Sequence, residues 1–195
     1  MQSHFYAILS RMKYIKRWGL MRNTREENLS EHSLEVSLIA HALAVISNKR
    51  LRGNIDANAV AVSALFHDTS EILTGDLPTP IKYHNPEIKK AYKKIEAIAE
   101  EELIGMLPDD MQDVFEDIYT PDENIKKFIK AADKLSALIK CIDERNMGNK
   151  EFKSAEESAL KALESMNMPE VEIFMAEFLD SFSMTLDEQR QIKNV

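Results

Sequence analysis

Val62-Ser63-Ala64-Leu65-Phe66-His67-Asp68-Thr69-Ser70-Glu71 is an apolar segment that runs into three closely spaced polar groups. Its period predicts a helix capped by Asp56 and continuing to Leu73, with Gly75 at the C′ position. On that helix Glu71 lies four residues after His67 and three after Asp68, so all three share one face. A charged carboxylate on such a face costs roughly several kcal/mol unless it is paired or bound to a metal. Packing alone gives no reason for three polar groups on one turn of a core helix.

The same helical period extends in both directions, and no segment alternates long enough for a strand. A first helix is expected over about Ser3 to Lys16, with Phe5, Ile8, Leu9, Met12 and Ile15 facing a core. The basic loop Arg17-Trp18-Gly19-Leu20-Met21-Arg22-Asn23-Thr24-Arg25 follows. Asn28 with Glu31 forms a capping-box pattern for a helix passing Leu34, Leu38, Leu43 and Ile46. Asn85-Pro86-Glu87 opens another helix, to about Leu107, with Ile88, Tyr92, Ile95 and Ala99 inward and lysine pairs outward. A short helix is expected from Asp109 to Tyr119. Thr120-Pro121-Asp122-Glu123 starts a long helix that carries Asp133 and stops near Gly148. Two more are expected, about Glu151 to Met166 and Pro169 to Met184. The expected class is all-α, with residues 1–195 as one domain.

Composition agrees and excludes some functions. The 195 residues are 44% hydrophobic and 30% charged, with 5 Gly and 6 Pro, which leaves little material for hairpins or linkers. The formal charge of −8 argues against a polymeric nucleic-acid partner, because phosphate backbones are held by basic surfaces. A small anionic substrate is compatible if positive charge is concentrated at one site. One cysteine, Cys141, rules out a disulfide framework and a Cys-based zinc cluster and suits a reducing compartment. No apolar run reaches the roughly 20 residues of a membrane span. The basic, acid-free first 25 residues could be a transit segment, but their helical apolar spacing favours a mature, core-packed helix. A cytoplasmic protein is expected.

His32, in the first turn of its helix, lines up with Val36, Ile39 and Leu43 and so faces inward. Asp133 borders a stripe of Ile129, Ala132, Ser136 and Ile139. Taken singly, a His-Asp pair, a core histidine and a helix aspartate each have ordinary structural explanations. Together, His32, His67, Asp68 and Asp133 are four inward-facing groups able to bind a divalent ion, with Zn, Mn, Co and Fe all open. His41 and His4 read as structural, and His84, in the Tyr83-His84-Asn85 loop, fits either role.

The order His…His-Asp…Asp resembles the metal set of the HD-domain superfamily of phosphohydrolases. Arg17-Trp18, Asn28-Leu29-Ser30-Glu31-His32-Ser33, Phe66-His67-Asp68-Thr69-Ser70-Glu71 and Thr74-Gly75-Asp76-Leu77-Pro78-Thr79-Pro80 are similar to the bacterial 5′-deoxynucleotidases of the YfbR type. The likeness spans nearly the whole chain and departs from the pattern at Gly19, where Pro is expected. It implies an HD-domain-like, all-α orthogonal helical array around one divalent ion held by His32, His67, Asp68 and Asp133. It further implies proton handling by Glu71 and Asp76. Substrate contacts then fall to Arg17, Trp18, His32, Asp76, Thr79, Pro80 and Asp133. The implied substrate is a deoxynucleoside 5′-monophosphate and the implied assembly a homodimer. Arg17 offers a planar fork that matches phosphate oxygens, and the Trp18 ring could crowd a sugar 2′ position.

Two other classes compete. Diphosphate or phosphodiester hydrolases with two metals use further histidines between the His-Asp pair and the last Asp, where this chain has only His84. The Gly-Tyr-Pro signature of the cyclic-dinucleotide hydrolases is also missing. A non-catalytic nucleotide sensor would be expected to have lost a ligand or an acid, and this chain retains all of them.

Overall fold

The computed structural model describes residues 2–82 and 84–191, with only the backbone described for Thr79, Pro80 and Gln191. Among the described residues there are eleven α-helices and no strand. They are α1 (Phe5–Leu9), α2 (Leu29–Arg50), α3 (Ala57–Phe66), α4 (Glu71–Thr74), α5 (Thr79–Lys82), α6 (Pro86–Gly105), α7 (Asp109–Tyr119), α8 (Glu123–Asn146), α9 (Lys153–Ser165), α10 (Pro169–Phe178) and α11 (Leu186–Gln191). A 3₁₀ segment, Ser10–Tyr14, continues α1, so the expected first helix tightens after five residues.

Helices α2, α3 and α8 form the central packing, with α9 and α10 laid against α2 and α8. Val36, Leu43, Ala64, Ala132 and Leu135 are sealed from solvent there, each large apolar side chain stabilising the fold by roughly 1.5–3 kcal/mol. A second cluster joins α1, α6 and α7 through Phe5, Leu103, Leu107 and Phe115. Phe66, at the end of α3, meets Phe115 edge-on at 5.6 Å and links the two.

Asn28 caps α2 with both arms of the expected box, and Asp56 caps α3 as expected. Three differences matter. Helix α3 stops at Phe66, and residues 67–70 form turns before α4, so His67 and Asp68 sit in a helix break instead of a helix interior. Thr120 does not cap α8; Asp122 does, accepting from Ile125 N–H at 2.9 Å. On α2, Leu34 and Leu38 are exposed, and Ile95 of α6 is too, because the burying face of each helix is narrower than its apolar composition. The sequence expectation about membrane spans also changes: α2 is long and apolar enough to cross a bilayer by length and composition. Half of that window is buried, which the contacts of α2 with α3 and α8 account for.

Candidate active site

The break after α3 turns His67 and Asp68 toward the first turn of α2. His67 Nδ1–H donates to the Ala64 carbonyl at 2.7 Å, the freed acceptor of the last helical turn. This fixes the tautomer and leaves Nε2 as a lone pair. His32 is arranged in the same sense. Ser136 Oγ–H of α8 donates to Glu35 at 2.6 Å, so its oxygen accepts from His32 Nδ1–H at 3.2 Å. His32 Nε2 then lies 3.5 Å from Asp68 Oδ2 and 3.4 Å from Asp133 Oδ1, and His67 Nε2 lies 3.2 Å from Asp68 Oδ2. Both Nε2 atoms are buried without a hydrogen-bond partner.

Ligand atoms of His32, His67 and Asp68 lie within 4.8 Å of one another. Asp133 stands at the edge of this trio, reaching it through His32, while its Oδ2 accepts from Lys134 at 2.9 Å. Burial opposes charge on Asp68, Asp133 and His32. Even so, His67 and His32 hold Asp68 well below the usual carboxylate range, and His32 and Lys134 do the same for Asp133. Burial likewise disfavours a charged His32, yet Asp133, Asp68 and Glu27 raise it to about 10. Converging anions that will hold a proton on imidazole this firmly form a site with a strong affinity for positive charge. Two buried imidazole lone pairs and two carboxylates fit a divalent, borderline ion.

The loop from Ile15 to Asn28 closes the other side. Its neck is an isolated antiparallel bridge, Lys16 to Asn28, with Arg17 N–H donating to the Glu27 carbonyl at 3.0 Å. Arg17 donates to Asp68 at 3.3 Å and to Glu27 at 3.2 Å, which places its guanidinium beside the imidazole–carboxylate trio. Trp18 donates from Nε1 to Glu27 at 3.0 Å, and its ring lies 5.3 Å from that of Phe152. Trp18, not Gly19, takes the left-handed backbone (φ +58°). A Cβ at Gly19 would meet nothing within 4 Å, so the departure from Pro opens no gap in the packing.

Glu71 begins α4 and is buried, with Oε2 unpartnered. Burial first, then Asp68 and Asp76, push it up to about 9. Asp76, just past Gly75 (φ +74°), is also raised by burial, while Arg17 and the backbone N–H of Trp18 pull it the other way. Thr79 and Pro80 fall on α5, and their side chains lie outside the described residues. His4, His41 and His84 are exposed and take no part.

Sequence reasoning missed four contributors. Glu27 contacts Arg17, Trp18 and His32; its only sequence signal is its place just before the Asn28 cap. Lys82 reaches 4.0 Å from Glu71 and 2.9 Å from Glu96, on a four-residue helix too short to leave a periodic trace. Ser136 and Glu35 orient His32 from behind, and Ser136 had been placed only in a packing stripe.

An all-helical array that brings a histidine to a His-Asp pair at a helix break has the fold of the HD-domain phosphohydrolases. It superposes on an HD-domain phosphohydrolase from Listeria innocua with a TM-score of 0.80 at 24% identity, over 96% of this chain and 92% of that one. A cyanophage S-2L HD phosphohydrolase, DatZ, solved bound to dA and one catalytic Zn2+ ion, gives 0.61 at 22% identity, over 97% and 96%. The chain belongs to the YfbR-like 5′-deoxynucleotidase family, whose profile matches residues 4–182. The 5′-deoxynucleotidase of Yersinia pestis (strain Pestoides F) is 51% identical over 191 residues, 95% of this chain and 96% of the relative. A Yersinia pseudotuberculosis 5′-deoxynucleotidase gives the same figures.

Proposed function

We propose that this protein hydrolyses 2′-deoxynucleoside 5′-monophosphates to deoxynucleosides and phosphate, using one divalent ion held by His32, His67, Asp68 and Asp133. The observation that carries the reading is the pair of buried, unpartnered Nε2 atoms facing Asp68 in a chain of this family. Such an ion supplies Lewis-acid polarisation of the phosphoryl group and a more acidic attacking water.

The chain's own residues do the rest. Arg17 meets the phosphate oxygens; two aspartates cancel the charge of a divalent ion, so a phosphate dianion requires this further cation. Water oxygen bonds to phosphorus as the P–O5′ bond breaks; one water proton leaves and the 5′ oxygen gains one. Glu71 and Asp76 are the acids that handle these protons. The buried Glu71, unpartnered at Oε2 and held protonated at neutral pH before any cation binds, suits the donor role, and the more exposed Asp76 can serve the water. Trp18, turned inward on a left-handed backbone, packs against the sugar where a 2′-hydroxyl would project. Thr79 and Pro80, on the short helix after Asp76, complete the substrate contacts.

The same reading takes the protein to be a cytoplasmic homodimer. The single buried Cys141 suits a reducing compartment, and the exposed pair Leu34 and Leu38 offers an apolar contact for a second copy. Phosphate release from dAMP, dUMP and their ribo counterparts with Mn or Co tests the activity. Release from none of them removes the reading, and equal deoxy and ribo rates remove its sugar selectivity.

A further inference from the structure

We infer that Glu27 is a positioning and specificity-determining residue whose one carboxylate locks Arg17, Trp18 and His32 into a single unit, coupling sugar discrimination to the phosphate end of the site. The inference rests on the roles just proposed for Arg17 and Trp18.

Glu27 Oε1 lies 3.2 Å from Arg17 Nε and 3.4 Å from His32 Nδ1, while Oε2 accepts from Trp18 Nε1 at 3.0 Å. The side chain is 13% exposed. Arg17 and Trp18 both donate to it, and His32, whose Nδ1–H donates to Ser136, stands beside Oε1; an ionised carboxylate presents an acceptor oxygen to each donor and a negative charge to the imidazole. The neighbouring Glu26 is 71% exposed and pairs with the equally solvated Lys16. Burial therefore distinguishes two adjacent glutamates of the same loop.

Trp18 needs such a tether. Its left-handed backbone is a conformation that L residues avoid, so local preference does not hold the ring in place. What holds it is the Nε1 bond to Glu27 and the Phe152 ring. Arg17, one residue earlier, has its Nε occupied by Glu27, which leaves the outer guanidinium nitrogens to face Asp68 and an incoming phosphate. A rotation of the Glu27 carboxylate moves the indole and the guanidinium together. A ring that judges the 2′ position and a fork that sets the phosphate are thereby kept at one fixed separation.

Glu27→Gln tests this. Its carboxamide keeps the shape but turns an N–H2 toward one of the donors. Steady-state kcat and KM for dAMP and AMP would be measured on the metal-loaded full chain, with Glu26→Gln as the control. Glu27→Gln is expected to lower kcat/KM for dAMP by about tenfold to a hundredfold and to shrink the dAMP-to-AMP preference by at least about fivefold. Glu26→Gln should stay within about twofold of wild type on both. Trp18→Phe, which removes the same hydrogen bond from the other side, should shrink the preference in the same direction. It keeps the test open if Glu27→Gln fails to fold. An unchanged preference in both variants, or equal losses on dAMP and AMP, overturns the inference while leaving the nucleotidase reading intact. A wild-type protein with no deoxy preference overturns the Trp18 assignment and this inference with it.

Discussion

The imidazole–carboxylate corner and the Arg17-Trp18 loop face each other across Asp68, and they are held by different physics. His32 rises from the first turn of a 22-residue helix capped at Asn28, and His67 and Asp68 from the end of α3, whose packing on α2 is the central contact of the core. Moving either histidine means disturbing that core. The loop has no core of its own. It is tied down from α8: Glu144, buried in the helix, accepts from the Thr24 backbone N–H at 2.9 Å, from Arg25 N–H at 3.2 Å and from Asn149 at 2.7 Å. Lys140 completes the clamp, donating at 2.5 Å to both Glu144 and the Arg25 carbonyl. Arg22 pairs with Glu151 at the rim. The corner is therefore fixed by helix packing, the loop by a few charge-assisted hydrogen bonds. Substitutions in the corner should abolish chemistry, and those in the clamp should degrade it.

The largest effect is expected at the corner itself. His67→Ala should lose bound metal and lower kcat by more than about 10³-fold. Chelation should silence the wild type, with Mn or Co restoring it. A variant that keeps both ion and activity would break the comparison outright. Next comes Arg17→Lys, which retains charge but loses the planar fork; kcat/KM should fall about 10²-fold with metal content unchanged.

The clamp comes third. Glu144→Gln should cost about tenfold in kcat/KM through the displaced loop, again with metal retained. It also strands a buried Lys140, lowering stability at pH 7 by about 3 kcal/mol in urea unfolding. The sign with pH follows from a depressed carboxyl. Burial opposes ionisation, but Lys140, Asn149 and the Thr24 and Arg25 amides hold Glu144 down to about 2. Its stabilisation is thus complete above its ordinary unfolded value and is lost as pH falls toward 2. The gap between wild type and variant should narrow over that acid range; a constant gap would show that the clamp is not electrostatic. The smallest effect is expected for Lys82→Met, where a partly buried lysine 4.0 Å from Glu71 is removed. A loss in kcat of less than about fivefold, measured across pH, would keep Lys82 in a minor supporting role.

Much of this was legible in the chain. Helix periodicity set the all-α class, and capping chemistry located the starts of α2 and α3, because a cap is a bond between residues two or three apart. Spacing singled out His32, His67, Asp68 and Asp133 because polar groups on apolar stripes are costly. The break at His67 was not legible: no Gly or Pro interrupts residues 57–74, and Ile72 and Leu73 resume the apolar pattern beyond it. Glu27 was not legible for a related reason. It differs from Glu26 in nothing local, and its value comes from Arg17, Trp18 and His32 arriving around it.

What the sequence alone determined, then, is whatever depends on neighbours within one helical turn: the helices, their caps, and which side chains are too polar for the faces they occupy. Tertiary structure alone decided which nitrogen of His32 is left bare, which of two adjacent glutamates is shielded from solvent, and that Trp18 adopts a left-handed backbone. Glu27 is shielded by Arg17 and Trp18 folding back across the loop, while the His32 and Trp18 outcomes depend on groups brought together from 100 or more residues apart, as Ser136 is to His32 and Phe152 to Trp18. At that separation no local preference acts, and burial with its hydrogen-bond requirements selects the arrangement.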